Sequence, residues 1–475
     1  MKKSLCLAIA IAMASLNLAA QQAPTPEKQQ QEIRKEVLVL LNDARMAAPE
    51  LATETLIRIS QSRKAANAAW RIEIIEEALR RADEVKYPLR RTLIPVKGMH
   101  VDTPPGYLSY AYDLKLDRLS LKSSVLRELL KVKKDRARQL VFEMGGTLDL
   151  KPLSCSDLLA YDVSEIYSAV GSVAKEVFSR QEVEEGLRGL FVVPWLENIS
   201  SPAQIPPALD LLAQFQESDA EKFLLFAALS RAIDRNFADD RSFTDMLERG
   251  GTQNKIGRLV SGLGDESLKA DLSASYRSFL LKNLRAPRCG ENEIKVDSEL
   301  PRYILQTNYI FREKSLKSDD VAHSDVKEKA EIVSYWRSQS SLRIRNQFRE
   351  LRTAKSREGI TPEEWAAMFR QAMESLNDWR TSDDESESDL FNQKSVLLRT
   401  LYEDVPDGKL REALTENFVK LLESSPIQKQ SFGEWLFHAR WLASKDKELF
   451  AKTAANSASP NLRLLVTLSR NQLVN

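Results

Sequence analysis

Histidine and cysteine are almost absent from this chain, with three of each in 475 residues. His100, His323 and His438 stand far apart, and none has a second histidine four residues on. The zinc-protease pattern is therefore missing. Cys6 falls in an early apolar stretch, which leaves Cys155 and Cys289, too few for zinc-finger spacing. Glycine (16) and proline (18) are scarce as well, well below the roughly 12% that the two make up in average proteins. Glycine builds tight turns, hairpins and phosphate loops, so its scarcity favours helices over sheets. Gly262-Leu263-Gly264 lacks the third glycine of a dinucleotide loop. No G-x-S-x-G elbow occurs. S-x-x-K stands at Ser172/Lys175, Ser324/Lys327 and Ser444/Lys447, without the K-T-G element that its chemistry also needs. No metal or cofactor is implied.

An excess of either charge is lacking too. Lys and Arg number 69 against 68 Asp and Glu. Phosphate binding needs a clustered basic excess, so nucleic acid is not expected as a partner. The helix around Arg343 to Arg357 carries Arg345, Arg349 and Arg352 on one face. A solvated face paired with acids is the expected role. Asp383 to Asp389 (DDESESD) has acids but no central glycine, and so reads as an acidic loop and not a calcium loop.

Long apolar runs are confined to the start. Lys2 and Lys3 precede an apolar stretch from Leu5 to Leu18, followed by Ala19-Ala20. A charged start, a short apolar middle and small residues form the layout of a secretory signal peptide. The run is shorter than the roughly 20 residues that span a bilayer, although an uncleaved anchor is the competing reading. Cleavage near Ala20 would export the protein to the periplasm or beyond the cell, without stable membrane insertion. In an oxidising compartment Cys155 and Cys289 are candidates for a disulfide, the competing reading being two buried thiols.

What is abundant is helical patterning. Ser179/Glu182, Ser218/Glu221 and Ser431/Glu434 read as capping boxes. Thr361-Pro362-Glu363-Glu364 adds proline at the first helical position. Trp365, Phe369, Ala372, Leu376 and Trp379 fall on one stripe. Phe223 to Leu229 is apolar nearly all round and is expected to lie among the least exposed segments. The fold class is all-α: stacked antiparallel helix pairs, as an irregular α-solenoid or multi-helix array. The chain resembles degenerate HEAT-type helical repeats in class only, with no motif residue to carry over.

The expected organisation is a signal peptide at 1–20 and a disordered linker at 21–31. An N-terminal helical region follows at 32–287, then a linker at 288–302 and a C-terminal helical region at 303–475. The proline- and tyrosine-rich stretch 88–113 is expected to be irregular. His100, Asp102, Tyr107, Tyr110 and Tyr112 form its candidate binding surface. The functional expectation is an exported, soluble, non-catalytic scaffold for protein partners, of unassigned oligomeric state. The alternatives are an envelope hydrolase whose carboxylates come from distant segments, and a helical carrier with a closed apolar cavity.

Overall fold

A computed structural model describes residues 26–62, 68–94, 103–215, 218–248, 251–286, 289, 307–311, 314–317, 320, 322–323, 338–355, 359–381, 386–405, 408–425 and 432–469. The signal-peptide expectation for 1–20 lies outside them, as do His100, Asp102 and all of the 288–302 linker except Cys289.

The protein is an all-α, multi-helix array. Its first part comprises α1 (Pro26–Met46), α2 (Pro49–Gln61), α3 (Ala68–Asp83), α4 (Pro104–Asp113), α5 (Arg118–Val132), α6 (Lys134–Met144), α7 (Ser164–Glu176) and α8 (Arg180–Glu184). It continues through α9 (Leu187–Glu197), α10 (Ile205–Leu212), α11 (Asp219–Ile233), α12 (Asp240–Glu248), α13 (Thr252–Gly262), α14 (Glu266–Asn283) and the short α15 (Asn308–Phe311). The second part comprises α16 (Gln339–Lys355), α17 (Pro362–Asp378), α18 (Glu387–Tyr402), α19 (Lys409–Ser424), α20 (Phe432–Lys445), α21 (Lys447–Ala454) and α22 (Pro460–Ser469). Two strand pairs are present among the described residues. β1 (Arg91–Leu93) runs antiparallel to β2 (Leu159–Tyr161), and β3 (Arg285–Ala286) runs parallel to β4 (Ala322–His323).

The caps explain many of the boundaries. The Thr361 hydroxyl accepts from the Glu364 amide, and the Glu364 carboxylate accepts from the Thr361 amide. Ser179 and Glu182 form the same reciprocal pair. Ser218 caps α11, but the carboxylate of Glu221 does not turn back to it. It takes the buried Arg188 fork instead, at 3.0 and 2.7 Å. A bidentate charged pair is stronger than a single backbone contact. The Ser431 box lies outside the described residues.

Three stretches are more helical than their composition suggests. α1 opens at Pro26, inside the expected linker 21–31, because proline suits the first turn and Glu, Lys and Gln are good helix formers. The stretch 88–113 is not irregular throughout. Thr103 caps α4, and Pro104 and Pro105 occupy its first turn, where a missing amide costs nothing. The acidic run becomes a helix start at Ser386, which forms a capping box with Asp389. Its acids then face the positive end of the helix dipole.

The apolar stripes fall as the spacing predicts. Trp365, Phe369, Ala372, Leu376 and Trp379 are all buried. In α16, Ile344, Phe348, Leu351 and Ala354 are buried, while Arg343, Arg345 and Arg349 face solvent. Arg352 pairs with Asp404. Phe223 departs from expectation and is 62% exposed. The helices α9, α10 and α14 cover the rest of α11 and leave that side open.

The two ends of the array's sequence meet. α22 packs on α1 and α2, and α20 crosses α4. The Asn461 side chain accepts from the Ala48 amide at 2.8 Å, and Arg463 pairs with Asp43 at 2.6 Å. At the α4–α20 crossing, Gly433 lies so close that a Cβ there would stand 2.4 Å from the Tyr107 carbonyl oxygen. Gly433→Ala tests that contact by its sign. In an open helix the change stabilises by up to about 1 kcal/mol. Here a loss of about 1–3 kcal/mol is expected, as for other overpacked sites. Urea denaturation measures it, and a gain in stability would mean that the crossing opens freely.

Candidate functional site

The tyrosines proposed as a binding surface are drawn into the α4–α20 junction. Tyr107 is fully buried, with its ring 5.2 Å from both Phe437 and His438. Tyr110 is half-buried, 5.1 Å from Phe437. Tyr112 is buried edge-on against Tyr87 at 5.8 Å. Tyr107 and Tyr112 are thus core rings and not surface rings. Once Thr103 starts the helix, they turn toward α20 and the segment that carries Tyr87. Burial raises the phenols of Tyr110 and Tyr112, and pushes that of Tyr87 up to about 12. His438 is buried among these rings, and its Nε2 lies 3.4 Å from Asn392 Oδ1. Burial, with Arg399 nearby, holds its proton affinity well below the ordinary value, so it packs as a neutral ring. His323 lies in β4.

Three carboxyls from distant segments gather around the same junction. Burial raises Glu434 to about 8, Glu50 to about 7 and Asp117 to about 6. Glu50 and Glu434 are both near enough to Tyr87 to raise its phenol. Asp117 caps α5 by accepting from the Ser120 amide at 3.0 Å. Glu434 Oε2 accepts from the Ser388 hydroxyl at 3.1 Å. Raised carboxyls of this kind are what hydrolytic chemistry requires. These three are each under 5% exposed, so their raised values go with packing and not with an accessible floor. Elsewhere, Cys155 and Cys289 are joined by a disulfide with a Cα–Cα distance of 4.9 Å.

An accessible apolar groove lies between α6 and α9, with a volume of about 550 Å³. Its lining includes Val141, Phe142, Phe178, Leu187, Leu190 and Trp195. Trp195 and Val141 are buried and form the floor, whereas Phe142 is 77% exposed and Leu190 58%. Gly146, at φ +70°, follows the lining residue Gly145 in the turn after α6. A Cβ there would meet the Pro194 carbonyl oxygen at 2.6 Å, so the turn after α6 can approach α9 only with glycine. On the rim, Arg138 lies over the Phe178 ring at 4.1 Å and pairs with Glu182 at 2.7 Å. Phe178 and Phe191 meet edge-on at 5.2 Å.

Sequence reasoning missed this groove. The signal it offered is the segment LRGLFVVPWLE of α9, apolar nearly all round although only part of its surface is covered. In α6, Phe142 stands off the stripe of Ala137, Leu140 and Val141.

Among the described residues no group of three or more His, Cys, Asp or Glu is placed to hold a metal ion. Among them, too, no helix is long and apolar enough to cross a membrane. No family model, curated protein or solved structure matches this chain.

Proposed function

We propose that the protein is an exported, non-catalytic helical scaffold that takes hold of a partner protein in the α6–α9 groove. The observation that carries this reading is the groove itself. Phe142 and Leu190 are left standing in solvent beside a buried aromatic floor. Covering such side chains is favourable by roughly 1.5–3 kcal/mol each. A shallow apolar trough between two helices suits an amphipathic helix, whose anchors recur every three or four residues. Asp135, Arg138 and Gln139 on the lining offer the polar contacts that set register.

Export rests on the leader-like first twenty residues, and the Cys155–Cys289 bridge supports it. Disulfides persist in oxidising compartments and are rare in the cytosol. The near-equal charges support a protein partner over nucleic acid.

The test is affinity capture from the envelope fraction with the parent and a Phe142→Asp/Leu190→Asp variant. Both side chains are exposed, so the variant is expected to keep the parent's unfolding midpoint. A specific partner retained by the parent should be weakened more than tenfold in the variant, as for interface anchors worth about 2 kcal/mol or more. Equal retention by both proteins, or no reproducible partner, removes the groove from the reading.

A further inference from the structure

A second cleft, with a volume of about 600 Å³, opens between the end of α17, α18 and α19. Three cations line it: Arg380, Lys394 and Lys420. Arg380 and Lys420 are exposed, but Lys394 keeps only 9% of its surface. Its sequence neighbours on α18, Asn392, Gln393 and Ser395, are buried polar residues as well. Among the described residues, no carboxylate lies within ion-pairing distance of any of the three. Two acids stand further off. Glu387 is part of the lining, and Asp378 is close enough to act on Lys394 through space.

The Lys394 ammonium reaches the cleft, but its stem is buried and its surroundings are only partly wet, which disfavours the charge where no carboxylate pairs with it. A second cation beside it adds repulsion. Burial first, and then Arg380, lower Lys394 to about 8. Such an arrangement is offset when an anion enters. Beside the cations, the Asn377 side chain donates to Asn417 Oδ1 at 3.1 Å and ties α17 to α19, and Arg380 donates to the carbonyls of Asn377 and Trp379. Trp379 and Leu390 supply an apolar wall. We propose that this cleft binds a small organic anion, its carboxylate or phosphate head held by Lys394 and Arg380 and its body lying on the apolar wall. A guanidinium offers a planar fork and an ammonium a point charge, a pairing that suits an oxyanion. The cleft shares no lining residue with the α6–α9 groove, so the two assignments stand or fall separately.

Isothermal titration of the full chain with sodium phosphate, and separately with sodium benzoate, tests the assignment and distinguishes the two heads. Saturable binding of at least one probe is expected, weakened at least tenfold in Lys394→Gln. Because Lys394 is buried, the exposed pair Arg380→Gln/Lys420→Gln serves as a second variant that keeps the fold, and it too should lose affinity. As an independent readout, the bound probe should slow reductive methylation of Lys394 followed by peptide mass spectrometry. Absence of saturable binding by both probes overturns the proposal. So does binding that neither variant weakens.

Discussion

Reduction of the Cys155–Cys289 bridge is expected to destabilise the protein by about 4 kcal/mol. The bridge closes a loop of 134 residues, for which the loop-entropy relation gives about 5 kcal/mol. Cys289 sits at φ +50°, in the left-handed region. Releasing a non-glycine residue from that conformation recovers about 1 kcal/mol, which accounts for the difference. On the other side, Cys155 is held independently of the sulfur. Arg241 donates to its carbonyl, and Asp239 accepts from the amides of Leu153 and Ser242 and from the Ser201 hydroxyl. The effect should therefore fall on the unfolded chain and on the segment after α14, with little rearrangement around Asp239. Urea denaturation of the parent and of Cys155→Ser, each with and without reductant, measures it. The reduced parent should coincide with the variant, and reductant should leave the variant unmoved. A parent midpoint that does not respond to reductant would show that the bridge adds no stability.

What the sequence made legible was local. The stripe from Trp365 to Trp379 and the caps at Ser179 and Thr361 depend on residues three to four apart, and they appear in the fold as spaced. What it concealed was decided across long separations. Tyr107 looked available because its cover, Phe437 and His438, lies more than three hundred residues on. Glu221 carries the signature of a capping box, yet Arg188 from another helix claims it. Pro104 and Pro105 read equally as breakers or as a first turn until Thr103 is seen to cap α4. Lys394 is one of 69 basic residues, and nothing in its neighbours' spacing marks it. Its isolation follows from how α17 and α19 flank α18. The α6–α9 groove was half legible, since the apolar circumference of α9 announced more apolar surface than one packing face needs.

The junction that absorbed the tyrosines should make stability fall as pH rises, the reverse of ordinary acid denaturation. Glu434, Glu50 and Asp117 bind protons more tightly folded than unfolded, with folded values of about 8, 7 and 6. Their contribution is therefore complete below the unfolded values, 4.5 for the two glutamates and 3.8 for Asp117. It is lost progressively as pH climbs to about 8. Each pKa unit corresponds to about 1.4 kcal/mol, so even a fraction of the combined shift gives on the order of 4 kcal/mol less stability at pH 9 than at pH 5. Other groups set the acid limb. His438 is depressed, so its share is present above the ordinary histidine value and lost as pH drops below it. Glu77, held down by the Arg45 pair, and Asp234, held down by Lys282, lose theirs at lower pH still. Between about pH 4.5 and 6.5 the three raised carboxyls outweigh the single histidine, so stability is expected to fall as pH rises across that range and to be greatest near about pH 4.5, above the loss of Glu77 and Asp234. Glu434→Gln isolates the basic limb, because an amide keeps the shape and cannot ionise. At pH 9 the variant should unfold at a higher urea concentration than the parent, while at pH 5 the two should coincide. If the variant is no more stable than the parent at pH 9, then Glu434 ionises at little cost, and water reaches the α4–α20 junction that the packing closes.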